Sequence, residues 1–83
     1  MISAYFTLES TDGAINTFTE IELSESLTFQ NVFDSLFSTF EKNYTLEKIT
    51  DPMHSISYNL SDTIIHSISH SGVTICFILK LNT

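Results

Sequence analysis

The residues best suited to hold a metal are His54, His66, His70 and Cys76. Each histidine shares an alternation phase with apolar neighbours: Ile56 and Tyr58 for the first, Ile64 and Ile68 for the others. A zinc centre needs three or four converging ligands held by further hydrogen bonds. The only thiol, Cys76, falls in the opposite phase from Val73, Ile75, Phe77 and Leu79, so no metal or other cofactor is expected. Nucleophilic catalysis fares no better. Serines and threonines are plentiful, but none sits in a glycine-flanked elbow, and two glycines are few for a phosphate cradle. Cys76 lies inside the most apolar run, where a thiolate would be costly and a small buried hydrophobe is expected. The sequence therefore predicts a protein that is not an enzyme.

The carboxylates are more informative. Glu20, Glu22 and Glu25 follow one another closely, Glu9 and Asp12 precede them, and no basic residue occurs before Lys42. The whole chain of 83 residues carries ten Asp or Glu against three Lys and no Arg, a formal net charge of -7. Phosphate neutralisation and base reading depend on Lys and Arg, so direct nucleic-acid binding is not expected. Anionic membranes repel the same charge, whereas a basic protein surface attracts it. Solubility alone accounts for acidic charge on many small domains, and Glu25 also complements the positive end of a following helix. A solubility role, however, does not require the charge to be confined to one half of the chain. Two aromatic residues, Tyr5 and Phe18, fall among polar neighbours in the strand phase turned away from the core, together with Ile65, Cys76 and Ile78. The predicted partner-binding set is Glu9, Asp12, Glu20, Glu22, Glu25, Tyr5 and Phe18.

These side chains must be positioned by strands and one helix. Ile2, Ala4, Phe6 and Leu8 alternate with Ser3, Tyr5 and Thr7, the period of a half-buried strand. Thr11-Asp12-Gly13 reverses the chain into a second strand from Ile15 to Leu23, in which Phe18, Glu20 and Glu22 share one phase. Phe29, Val32, Phe33, Leu36, Phe37 and Phe40 make one apolar helical stripe. Thr28 suits its N-cap, Leu27 and Val32 a hydrophobic staple, and Lys42 with Asn43 its end. Tyr44 to Thr50 reads as a short strand or a loop, broken at Asp51-Pro52. Three strand-like runs complete the chain: His54 to Leu60, Thr63 to His70 and Val73 to Leu81, linked by Ser61-Asp62 and Ser71-Gly72. The expected fold class is α+β, an antiparallel sheet of four to five strands in the order ββαβββ, with one helix on one face. Phe33, Leu36, Phe37 and Phe40 are expected to pack on Phe6, Leu8, Ile75 and Phe77.

This length suits one domain, residues 1–83, which buries about 60% of its unfolded surface and keeps a small stability margin. A single cysteine without a recognisable signal segment predicts a cytoplasmic location, and no apolar run is long enough to span a membrane. Size, charge and missing catalytic motifs together resemble phage-encoded anti-defence inhibitors as a broad category, anti-CRISPR proteins and DNA mimics among them. No stretch carries a motif of a named family. The leading expectation is an inhibitor that occupies a basic, nucleic-acid-binding surface on an effector or nuclease. An immunity protein for a basic toxin follows the same physics. The contrasting expectation is a structural subunit, a homodimer or larger homo-oligomer, that buries its open sheet face or pairs its last strand with a copy of itself.

Overall fold

A computed structural model describes residues 2–37 and 43–82. Within them the chain forms β1 (Ser3–Ser10), β2 (Asn16–Glu22), α1 (Phe29–Phe37), β3 (Tyr44–Thr50), β4 (Ser57–Tyr58), α2 (Ile64–Ser67) and β5 (Val73–Leu81). The strands make one five-stranded sheet in the order β2-β1-β5-β3-β4, so the fold is mixed α+β. Each hairpin and the β3–β5 pair is antiparallel, but β1 and β5 run parallel side by side. The sheet is therefore mixed, where the sequence predicted a purely antiparallel one. The physical reason is the route of the chain: parallel neighbours need a long crossover, and everything between β1 and β5 supplies it. β5 is also hydrogen-bonded on both sides, by β1 and β3, so the last strand has no free edge for a second copy.

The first hairpin follows the sequence reading closely. Ser10 and Ile15 close the loop through an N–H···O bond of 3.0 Å, and Gly13 takes φ +80°, a conformation that costs a side-chain-bearing residue more. Asp12 locks this loop by accepting bonds from the Ser10 hydroxyl at 2.6 Å and the Ala14 N–H at 3.1 Å.

Helix α1 begins with a reciprocal cap. Thr28 Oγ1 accepts the Asn31 N–H at 3.2 Å, and Asn31 Oδ1 accepts the Thr28 N–H at 3.0 Å. Its next amides are satisfied from elsewhere: Phe29 and Gln30 donate to the carbonyls of Asp62 and Leu60, and Ile64 donates back to Leu27. This docking explains why Thr63 to His70 is not the predicted strand. Its backbone is committed to the start of α1, Ile64 is fully buried, and the segment winds into the short helix α2. Adjacent Ile64 and Ile65 fit either period over so short a run. The predicted strand His54 to Leu60 is likewise reduced to Ser57–Tyr58. The Asp51 carboxylate captures the N–H groups of Ser55 at 2.7 Å and Ile56 at 2.8 Å, and His54 turns through φ 59°. Tyr44–Thr50, by contrast, is a full strand with a bulge between Leu46 and Lys48.

The core lies between α1, α2 and one face of the sheet. Phe6, Leu8, Ile75 and Phe77 are fully buried there, and Phe77 lies 5.9 Å from Phe6 and 5.6 Å from Phe33 between ring centroids. On α1 the deepest residues are Phe29 and Val32, whereas Phe33, Leu36 and Phe37 are only half-buried. The predicted centre of the helix stripe is thus one turn too late. The cause is again the docking of 60–64 against the helix start, which closes the core at that end. Phe40 and Lys42, assigned by sequence to the stripe and the helix end, lie outside the described residues.

Candidate functional site

The second face of the sheet has no helix on it among the described residues. Register fixes which side chains it carries. Across it run the rows Glu22–Ser3, Glu20–Tyr5–Thr74, Phe18–Thr7–Cys76–Thr50–Ser57, Asn16–Glu9–Ile78–Lys48 and Lys80–Thr45. Of the predicted set, the fold brings Tyr5, Glu9, Phe18, Glu20 and Glu22 together on the β1–β2 half of this face. Asp12 stands at the hairpin tip and Glu25 in the exposed turn after β2, so neither belongs to a strand row. Ile65 does not join the face, because it lies on α2.

Tyr5 and Phe18 stack, with ring centroids 5.2 Å apart and planes inclined by 22°. Phe18 is 64% exposed even so. A stack of this kind is worth about 0.5–1.5 kcal/mol beyond area burial, and it presents a pre-ordered apolar ledge to solvent. Glu20, directly across from Tyr5, accepts a 3.2 Å bond from the Ser3 hydroxyl, which holds its carboxylate beside the ledge.

The acids are not equivalent. Asp12 is occupied: besides Ser10 and Ala14 it accepts the Tyr44 hydroxyl at 2.9 Å, and these bonds hold its pKa below the usual carboxylate range. Asp51 is held low in the same direction, chiefly by the Ile56 N–H. Asp34 accepts from Gln30 at 2.6 Å along the helix. Asp12 and Asp51 therefore staple loops, and the acids facing outward from the β1–β2 half are Glu9, Glu20 and Glu22. A carboxylate with a depressed folded-state pKa stabilises above its unfolded value, and that contribution is lost as pH falls through the folded value. Tyr44→Phe should thus move the Asp12 titration upward, toward the ordinary range, when its side-chain carboxyl is followed by NMR. An unmoved titration would show that the phenol contributes nothing.

Two lysines reach the same face from its other half, Lys48 in the Ile78 row and Lys80 beyond it. Sequence reasoning missed them as part of this surface. The phase of Cys76 and Ile78 continues to Lys80 and was legible, whereas the bulge before Lys48 shifts its strand out of simple alternation. The face is accordingly divided, acidic and aromatic over β1–β2 and carrying Lys48 and Lys80 toward β3–β5, where Glu47 sits in the bulge beside Lys48.

Cys76 is buried, as its place in the apolar run predicted, and Ile78, expected on the open face, is nearly buried as well, at 5% and 9% exposure respectively. Burial pushes the Cys76 thiol pKa up, and the charges of Glu9 and Asp51 add to it. Thr7 Oγ1, itself buried without a well-formed hydrogen bond, acts in the opposite direction. The thiol should accordingly react slowly with iodoacetamide at pH 8 in the folded protein and rapidly after denaturation. Comparable rates in the two states would contradict this burial.

A shallow cavity of about 290 Å³ adjoins Glu9 at the end of the face, between the hairpin tip and His54. The three histidines weighed as a metal set are dispersed: His54 in the 51–56 loop, His66 on α2 and His70 in the turn before β5, all exposed. Among the described residues no group of three or more His, Cys, Asp or Glu is placed to hold a metal ion, and no helix is long and apolar enough to cross a membrane. No protein-family model matches the chain, and no curated protein matches it.

Proposed function

We propose that this chain is a non-enzymatic binding protein that uses the β1–β2 half of its helix-free sheet face to occupy, and so block, a basic nucleic-acid-binding surface on another protein. The observation that supports this reading is the exposed Tyr5–Phe18 stack with Glu20 fixed beside it and Glu9 and Glu22 on the same face. Aromatic anchors inside a polar rim are a common composition of interface hot spots. The acidic rim steers a basic partner, and the ledge supplies the apolar contact that charge alone does not. An inhibitor of a nuclease or other nucleic-acid-binding effector, of the anti-CRISPR or DNA-mimic kind, is the functional class these features fit, acting in the cytoplasm. Retention of partners from a host lysate at low and at high salt tests it. A basic nucleic-acid-binding protein should be enriched at low salt, weakened at high salt and lost with Phe18→Ala.

One observation favours a second reading, self-assembly. A two-fold axis along β5 would lay the acidic half of one copy over the half of another that carries Lys48 and Lys80, with Glu9 opposite Lys48. Sedimentation decides between them, because a blocker stays monomeric at concentrations where a structural subunit is a dimer.

A further inference from the structure

β2 is an edge strand: β1 pairs with one side of it, and the sheet order ends there. The orientation of its backbone follows from two bonds. Leu23 donates to Ile2 and Ser10 donates to Ile15, which makes the 2/23 and 10/15 pairs hydrogen-bonded ones. Hydrogen-bonded and non-hydrogen-bonded pairs alternate along an antiparallel ladder, so Ile15, Thr17, Thr19, Ile21 and Leu23 turn their N–H and C=O groups toward β1. Asn16, Phe18, Glu20 and Glu22 turn theirs outward. The same four residues place their side chains on the helix-free face. Edge hydrogen bonding and side-chain recognition therefore come from one set of residues.

We infer that the β2 edge takes an extended basic segment of the partner by strand addition, with Lys or Arg at alternate positions beside Glu20 and Glu22 and an apolar residue beside Phe18. The inference deepens the proposed function and rests on its reading of the β1–β2 half as a binding surface. Strand addition obtains affinity from main-chain bonds and selectivity from alternate side chains. Charge complementarity selects the occupant. β2 carries two glutamates, and neither β1 nor β2 has a cation. A second copy of this strand would bring four glutamates into one short ladder with no cation, whereas a basic segment neutralises them. The opposite side of the sheet is made by β4, two residues long, and by the part of β3 that β4 does not pair with, which a bulge between Leu46 and Lys48 interrupts, so it offers a less regular template.

Amide hydrogen exchange by NMR tests this, with a synthetic peptide in which Lys and Thr alternate and a Phe closes the sequence. Peptide binding should slow exchange at Asn16, Phe18, Glu20 and Glu22 by at least about tenfold, while Thr17, Thr19 and Ile21, already bonded to β1, stay as they are. A peptide N-methylated on the alternate residues that face β2 should lose binding by a similar factor. Binding without slowed exchange, or undiminished by N-methylation, would overturn strand addition and leave the proposed function standing. No binding of the peptide would also overturn it, while the proposed function would still be judged on retention of the basic protein. Slowed exchange without peptide, rising with protein concentration, would assign the edge to a second copy and refute the inference.

Discussion

Phe77→Ala is expected to cost about 3–5 kcal/mol of folding free energy, the range for truncating a fully buried Phe. Phe77 has no exposed surface, its ring lies between Phe6 and Phe33, and its strand β5 is hydrogen-bonded on both sides. The lost volume cannot be refilled easily, because backbone fixed by two neighbouring strands has little room to collapse. Small domains retain only about 5 kcal/mol or somewhat more in total, so the variant should be largely unfolded near physiological temperature. Urea unfolding provides the measurement, and an unchanged midpoint would contradict the assignment of the core. Phe37→Ala should cost distinctly less, since Phe37 is half-buried against its helical neighbour Phe33, 5.0 Å away. Phe18→Ala should change stability by no more than about the 0.5–1.5 kcal/mol of its stack with Tyr5.

What was legible in the sequence is what local period alone determines. β1, β2 and β5 have clear alternation, and the Thr11-Asp12-Gly13 turn has chemistry that only a reversal uses. Thr28 and Leu27 announce the helix start. These elements suffice to put Tyr5, Phe18, Glu20 and Glu22 on one side of a hairpin. The second half resisted because long-range bonds overrule local pattern there. Asp51 collects amides four and five residues ahead and ends a strand that the spacing of His54, Ile56 and Tyr58 would otherwise support. The 60–64 segment exchanges backbone bonds with the start of α1, which no alternation records. Placement of β5 beside β1 is likewise a tertiary outcome, and it carries Lys80 onto the candidate face and closes off Cys76. The acidic asymmetry of the sequence is real along the chain but weaker in space, since Lys48 and Lys80 share the face with Glu9, Glu20 and Glu22.

A control variant of equal net charge separates the position of the acids from their number. Neutralising Asp51 would loosen the 51–56 loop along with removing a charge, so it cannot serve. Asp34, Glu47 and Asp62 are exposed and lie off the β1–β2 half, and replacing them by Asn, Gln and Asn removes the same number of charges as replacing Glu9, Glu20 and Glu22 by Gln. Solubilising charges are interchangeable, whereas recognition charges depend on position. Truncating one partner of a desolvated charge pair costs about 2–5 kcal/mol, and rim charges mainly slow association.

The most direct measurement is therefore a binding titration of the retained basic partner against these two triple variants, at matched salt and with folding of both confirmed by thermal melting. The localised surface predicts that the Glu9, Glu20 and Glu22 variant loses at least about tenfold more affinity than the Asp34, Glu47 and Asp62 variant. Equal losses would show that only total charge matters and would contradict the assignment of function to the β1–β2 face.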